Sequence, residues 1–142
     1  MTSFTRRLLF GLPLPFLTAA GTQASEPRAA RPTKLTVWNQ TQLYFGTSKP
    51  DGTAVTDEQF KTFLDASVTP RFPDGLTLLT GYGQFKVESG VIVQERSHVL
   101  ILFYPPSVRD AEQKIEIIRT EYKNAFGQES VLRADSNAAI AF

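Results

Sequence analysis

Four side chains in the middle of this chain could do chemistry: Glu95, Ser97 and His98, clustered in one run, and Arg71, held in Thr69-Pro70-Arg71-Phe72-Pro73-Asp74-Gly75. A carboxylate beside a guanidinium could act as general base and anion anchor, the outline of a cofactor-free isomerase or hydrolase. The plainer reading is an ion pair between Glu95 and Arg71 that pins the proline-rich loop. His98 is the only histidine. On a strand, Glu95 and Ser97 lie at odd offsets from it and point to the opposite face, so a local Ser-His-Glu triad fails. The residues offer no metal-ligand spacing and no phosphate-binding glycine loop, and no cofactor is expected. The sequence names no reaction.

These residues are positioned by a β-hairpin. Leu76 to Val87 and Val91 to Tyr104 read as two long strands joined by Glu88-Ser89-Gly90, with Gly90 where a three-residue loop needs a left-handed residue. That loop sets Val87 opposite Val91, Phe85 opposite Val93, Gly83 opposite Glu95 and Gly81 opposite Ser97. One face then reads Leu79, Gly81, Gly83, Phe85 with Val93, Glu95, Ser97, Val99, Ile101 and Phe103. It is expected to face the core, with a polar notch where glycines oppose Glu95 and Ser97. The other face carries Tyr82, Gln84, Arg96 and His98 beside Leu78, Leu100, Leu102 and Tyr104. It is too apolar for water, so a homodimer or a ligand is expected to cover it. The ligand-binding candidates are therefore Arg71, Tyr82, Gln84, Glu95, Ser97 and His98.

Around the hairpin the chain is regular. A first strand falls within Leu35 to Phe45, with Leu43 and Phe45 on one face and Tyr44 on the other, and Lys49-Pro50-Asp51-Gly52 is a turn. Thr56 and Gln59 form a capping box for a helix whose stripe is Phe60, Phe63, Leu64 and Val68; Pro70 ends it. Ser107 is expected to cap a second helix, which Gly127 closes, with apolar positions Val108, Ala111, Ile115, Ile118, Tyr122 and Phe126. A short strand, Ser130 to Arg133, and a tail follow. The order β-α-β-β-α-β predicts an α+β, ferredoxin-like fold, an antiparallel sheet with both helices on one face.

The first 24 residues read as an export leader: Arg6-Arg7, the apolar run Leu8 to Ala20 and the small-residue site Thr22-Gln23-Ala24. The run is short and broken by Pro13 and Pro15, so no stable membrane anchor is expected after cleavage. The paired arginines are a partial match to a twin-arginine signal. Residues 25–34 form a linker and 35–142 a single domain, periplasmic or secreted. Formal net charge is +1, and two of the fifteen basic residues are Arg6 and Arg7, so nothing favours nucleic acid. With no cysteine the core must hold without disulfides, and thiolate chemistry is excluded.

Several stretches together resemble a known family: Leu43-Tyr44-Phe45-Gly46, Thr69-Pro70-Arg71-Phe72-Pro73-Asp74-Gly75-Leu76-Thr77, Gly83-Gln84-Phe85, Glu95-Arg96-Ser97 and Gln128-Glu129-Ser130-Val131-Leu132-Arg133. The resemblance, from about Trp38 to Phe142, is to an uncharacterised family of exported bacterial proteins, domain of unknown function three-five-seven-four. Phe85 and Arg96 stand where the family has tryptophan and proline. The resemblance implies no activity. The expectation is an exported domain that binds a small molecule or partner through the sheet and the proline-rich loop without catalysis. The alternatives are the enzyme above, with Glu95 as base, and a structural envelope protein.

Overall fold

The computed structural model describes residues 34–142, so the leader and most of the linker lie outside the described residues. The elements run β1 (Thr36–Gly46), α1 (Asp57–Phe63), β2 (Thr77–Lys86), β3 (Ile92–Tyr104), α2 (Ala111–Phe126) and β4 (Leu132–Ile140). The strands form one antiparallel sheet in the order β2-β3-β1-β4, the ferredoxin-like arrangement. The hairpin register is the one its three-residue loop demands: Gly81 faces Ser97, Gly83 faces Glu95 and Phe85 faces Val93. Val87 and Val91 close it, with Gly90 at φ 86°.

Each helix forms for local reasons and packs through its stripe. Thr56 accepts from the Gln59 amide while the Gln59 side chain accepts from the Thr56 amide, so two amides at the start of α1 are satisfied. The helix continues as a π-helical turn, Leu64–Val68, in which the Thr69 amide reaches back to the Leu64 carbonyl. Phe60, Phe63, Leu64 and Val68 are all buried, as are Ala111, Ile115, Ile118 and Tyr122 of α2. Gly127, at φ 65°, ends α2 in the left-handed conformation that glycine takes without a Cβ penalty. The second helix starts later than its sequence suggests. Ser107 lies in a turn, and Asp110 occupies the N-cap position without a side-chain hydrogen bond.

Two further expectations are overturned. The final strand is not four residues long: β4 pairs with β1 from Leu132↔Tyr44 to Ile140↔Thr36, so most of the expected tail is sheet. The two sheet faces are also exchanged. The helices cover the face bearing His98, Leu100, Leu102 and Tyr104, not the one bearing Glu95 and Ser97. The reason lies in β1. Phe45 pairs with His98 and Leu43 with Leu100, and both are fully buried beneath the helices. Phe45 sits at the centre of an aromatic cluster, its ring 5.4 Å from Phe60 and 4.6 Å from Tyr122. Helix side chains need bulk to pack against. Once β1 adds Phe45 and Leu43, the His98–Tyr104 face supplies it without a break, whereas Gly46, Gly81 and Gly83 interrupt the other face.

Candidate functional site

The notch exists, and it lies on the uncovered face of the sheet. Gly83 and Glu95 pair across β2 and β3, Gly81 pairs with Ser97, and Ser97 pairs with Gly46 of β1. Three glycines on two flanking strands thus surround Glu95 and Ser97 with bare backbone. Gly46 is required for room: a Cβ there would collide with the Glu95 carboxylate. Glu95 is half-buried, and its Oε2 accepts from the Ser48 amide at 2.5 Å. Its Oε1 takes no hydrogen bond from the described residues, and no lysine, arginine or histidine among them lies within 4.0 Å of the carboxylate.

Behind the sheet, Tyr122 donates its phenol proton to the Gly46 carbonyl at 2.8 Å. Burial, and secondarily the Glu95 charge, push that phenol well above its ordinary pKa, so it stays a donor. The notch opens into a cleft of about 1010 Å³ whose walls include Tyr44, Phe85, Lys49 and the loop from Gly127 to Val131. Gln128 ties this loop to the β1–α1 turn, its Nε2 donating to the Ser48 carbonyl at 2.6 Å.

The remaining sequence-predicted residues lie elsewhere. Arg71 does not meet Glu95. It pairs with Glu121 of α2 at 2.7 Å and donates to the Ser67 carbonyl at 2.6 Å, so the proline-rich loop is pinned to α2 instead. Tyr82 and Gln84 are exposed on the helix-side face near the hairpin tip, where both hydrogen-bond to Gln94. Arg96, next to them, pairs with Asp57 at 3.0 Å.

His98 is a core residue, 2% exposed and stacked on Phe60 with ring centroids 4.1 Å apart. Its Nδ1 lies 3.3 Å from the Thr80 hydroxyl and its Nε2 3.9 Å from Asp57. Burial, reinforced by Arg96 and opposed by Asp57, holds its pKa below the ordinary 6.5. The folded protein therefore resists a proton that the unfolded chain accepts. Stability is full above about pH 6.5 and falls as pH drops from there toward the depressed value. Urea midpoints measured from about pH 7.5 to 5.5 should fall for the wild type and stay flat for His98→Gln.

The outer edge of the sheet carries an ionic network on its helix side. Arg133 pairs with Glu112, Glu116 and Asp135 at 2.6, 2.9 and 2.8 Å. The buried Thr41 donates to Asp135 at 2.6 Å and so must accept from Tyr104 at 3.0 Å. Arg119 bonds the Val131 carbonyl, at 2.8 Å from Nη2, and both oxygens of Glu116. The network locks β4 to α2 and forms the far wall of the cleft.

Sequence reading missed Gly46, Ser48, Tyr44 and the Gln128 loop as parts of the site. Leu43-Tyr44-Phe45-Gly46 and Gln128 to Arg133 were visible as motifs, but their approach to Glu95 needs the β3-β1-β4 pairing. Among the described residues no cluster of three or more His, Asp or Glu could hold a metal ion. No helix among them is long and apolar enough to cross a membrane.

Residues 40–142 match the family model described as Protein of unknown function (DUF3574). The chain belongs to this family. No curated protein matches it. Among solved structures, the DUF3574 chain is similar to a phage SAM lyase in complex with S-methyl-5'-thioadenosine. The TM-score is 0.59 and the identity 19%, over 74% of this chain and 90% of that one. The same lyase in its apo state gives 0.54 and 16%, over 75% and 90%. CutA from Synechococcus elongatus gives 0.45 and 11%, over 76% and 81%. At these identities the lyase likeness shows a shared fold.

Proposed function

We propose that this DUF3574 domain is a non-enzymatic binding module. In this reading it holds a small organic cation with an apolar or aromatic body in the sheet-face notch. The observation that carries it is Glu95, a half-buried carboxylate fixed by the Ser48 amide, with one oxygen free and no cationic partner among the described residues. A charge so placed is costly to desolvate unless a counter-charge arrives. Gly46 makes room for the carboxylate itself, Gly81 leaves open space nearby, and the aromatic side chains of Tyr44 and Phe85 line the same cleft, where a cation's apolar body could pack against them. Arg71, engaged by Glu121, is not placed to anchor an anion beside Glu95.

The fold likeness to a SAM lyase suggests a matched pair of probes, SAM as the cation and S-methyl-5'-thioadenosine as its uncharged counterpart. Calorimetry should detect SAM binding to the wild type. Glu95→Gln, which keeps the acceptor for Ser48, should weaken it at least about tenfold, the loss of one charge-assisted contact. The uncharged compound should bind both proteins alike. SAM binding that survives Glu95→Gln, or no cation binding at millimolar concentration, contradicts the reading.

The proposal places the module outside the cytoplasm, supported by the leader pattern of Met1 to Ala24. An intact mass beginning at Ser25 is the corresponding measurement.

A further inference from the structure

We infer that another copy of this chain covers the open face of the sheet. All four strands contribute to that face: Leu79 and Phe85 from β2, Val99 and Phe103 from β3, Tyr44 from β1 and Leu132 from β4. Leu79 is 52% exposed and Leu132 63%; they lie on the edge strands β2 and β4, beside Val99 and Tyr44 of the two central strands. The expected dimer face is the helix-covered core, so the surface in need of a partner is the other one.

Two observations select the occupant. Four strands about 4.8 Å apart, each about ten residues long at about 3.3 Å per residue, present roughly 600 Å². A face of that size against an equal one buries roughly 1,200 Å², at the lower bound for a stable protein–protein interface. Second, the strand positions on this face carry one charge, Glu95. A sheet face with a single charge and a large apolar share can pack against a copy of itself, two such faces lying about 10 Å apart through interdigitating side chains. Nucleic acid and anionic membranes require basic residues that the face lacks. Over Gly81, where a Cβ would meet nothing within 4 Å, the covering copy would leave a hollow, turning the open cleft into an enclosed one. This inference stands on the apolar face and survives whether or not a cation binds.

The test is native mass spectrometry and sedimentation of the full chain at micromolar concentration. Val99→Glu places a charge on a central strand of the face and Leu79→Glu one on its edge strand β2, and Thr62→Glu places one on exposed α1 as a control. A homo-oligomer retained by Thr62→Glu and reduced to monomer by the two face variants, with unchanged far-UV circular dichroism, is the expected result. Should Val99→Glu unfold the domain, Leu79→Glu decides, because that side chain is already half exposed. A monomeric wild type, or an oligomer that both face variants leave intact, overturns the inference.

Discussion

Leu100→Ala should destabilise the domain by about 2–5 kcal/mol, the range for a core leucine truncated in a site that cannot collapse. Leu79→Ala, one strand away on the opposite face, should cost at most about 1 kcal/mol at high dilution. Leu100 is fully buried, paired with Leu43 of β1 and Leu78 of β2. Its loss leaves a cavity that the rigid sheet on one side and two helices on the other cannot fill. Leu79 loses little in an isolated copy because half of it is already in water. Urea unfolding reads both. The Leu79→Ala penalty should grow with protein concentration as copies associate, whereas that of Leu100→Ala should not. Equal penalties at high dilution would mean that the helices do not select the face assigned to them.

Arg133→Met is the second large effect. One guanidinium, mostly buried, holds three carboxylates, so its loss leaves Glu112, Glu116 and Asp135 without their common partner. Those carboxylates are themselves partly in water, which screens them, so the expected cost at neutral pH is about 1–2 kcal/mol. The pH dependence is more diagnostic. Arg133 holds Glu112 below its ordinary pKa; Arg119 first, and Arg133 after it, do the same for Glu116. Burial pushes Asp135 up, but Thr41 and Arg133 outweigh it. Depressed carboxylate pKa values contribute stability above the unfolded values, 4.5 for glutamate and 3.8 for aspartate, and lose it as pH falls through the folded ones. The acid limb of the stability curve should therefore be steep in the wild type and shallower in Arg133→Met. Parallel limbs would mean that the network contributes nothing.

Much of the fold was legible because local signals agreed with one another. The capping box at Thr56, the stripe Phe60-Phe63-Leu64-Val68, Gly90 in its three-residue loop and Gly127 after α2 each fix an element without reference to the rest. The hairpin register followed from loop length alone. What remained hidden was which hairpin face met the helices. Leu78, Leu100 and Leu102 on one side are no more apolar than Leu79, Val99 and Ile101 on the other, so hydrophobicity could not decide. The decision came from β1, whose Phe45 and Leu43 lie beside His98 and Leu100 only after long-range pairing.

The same pairing explains the site. Gly83, Glu95 and Ser97 could be placed together from the hairpin, but Gly46 and Ser48 join them through β1, out of reach of any local pattern. Arg71 looked like the partner of Glu95 because loop and notch are close in sequence. Glu121, fifty residues away, holds it instead. Length misled at β4, where Ala134, Ala138 and Ala139 lack the β-branched or aromatic character of a strand yet pair along most of β1.

The most direct test of the central claim, that Glu95 on the open face is a site for a cation, is an NMR titration of the amide resonances with SAM. The Ser48 amide donates to the Glu95 carboxylate, and Gly46, Gly83 and Ser97 surround it. These four amides should shift most in the wild type and stay in place in Glu95→Gln. Shifts centred instead on Tyr82, Gln84, Gln94 and Arg96, or a wild-type spectrum unmoved by the cation, would contradict the account.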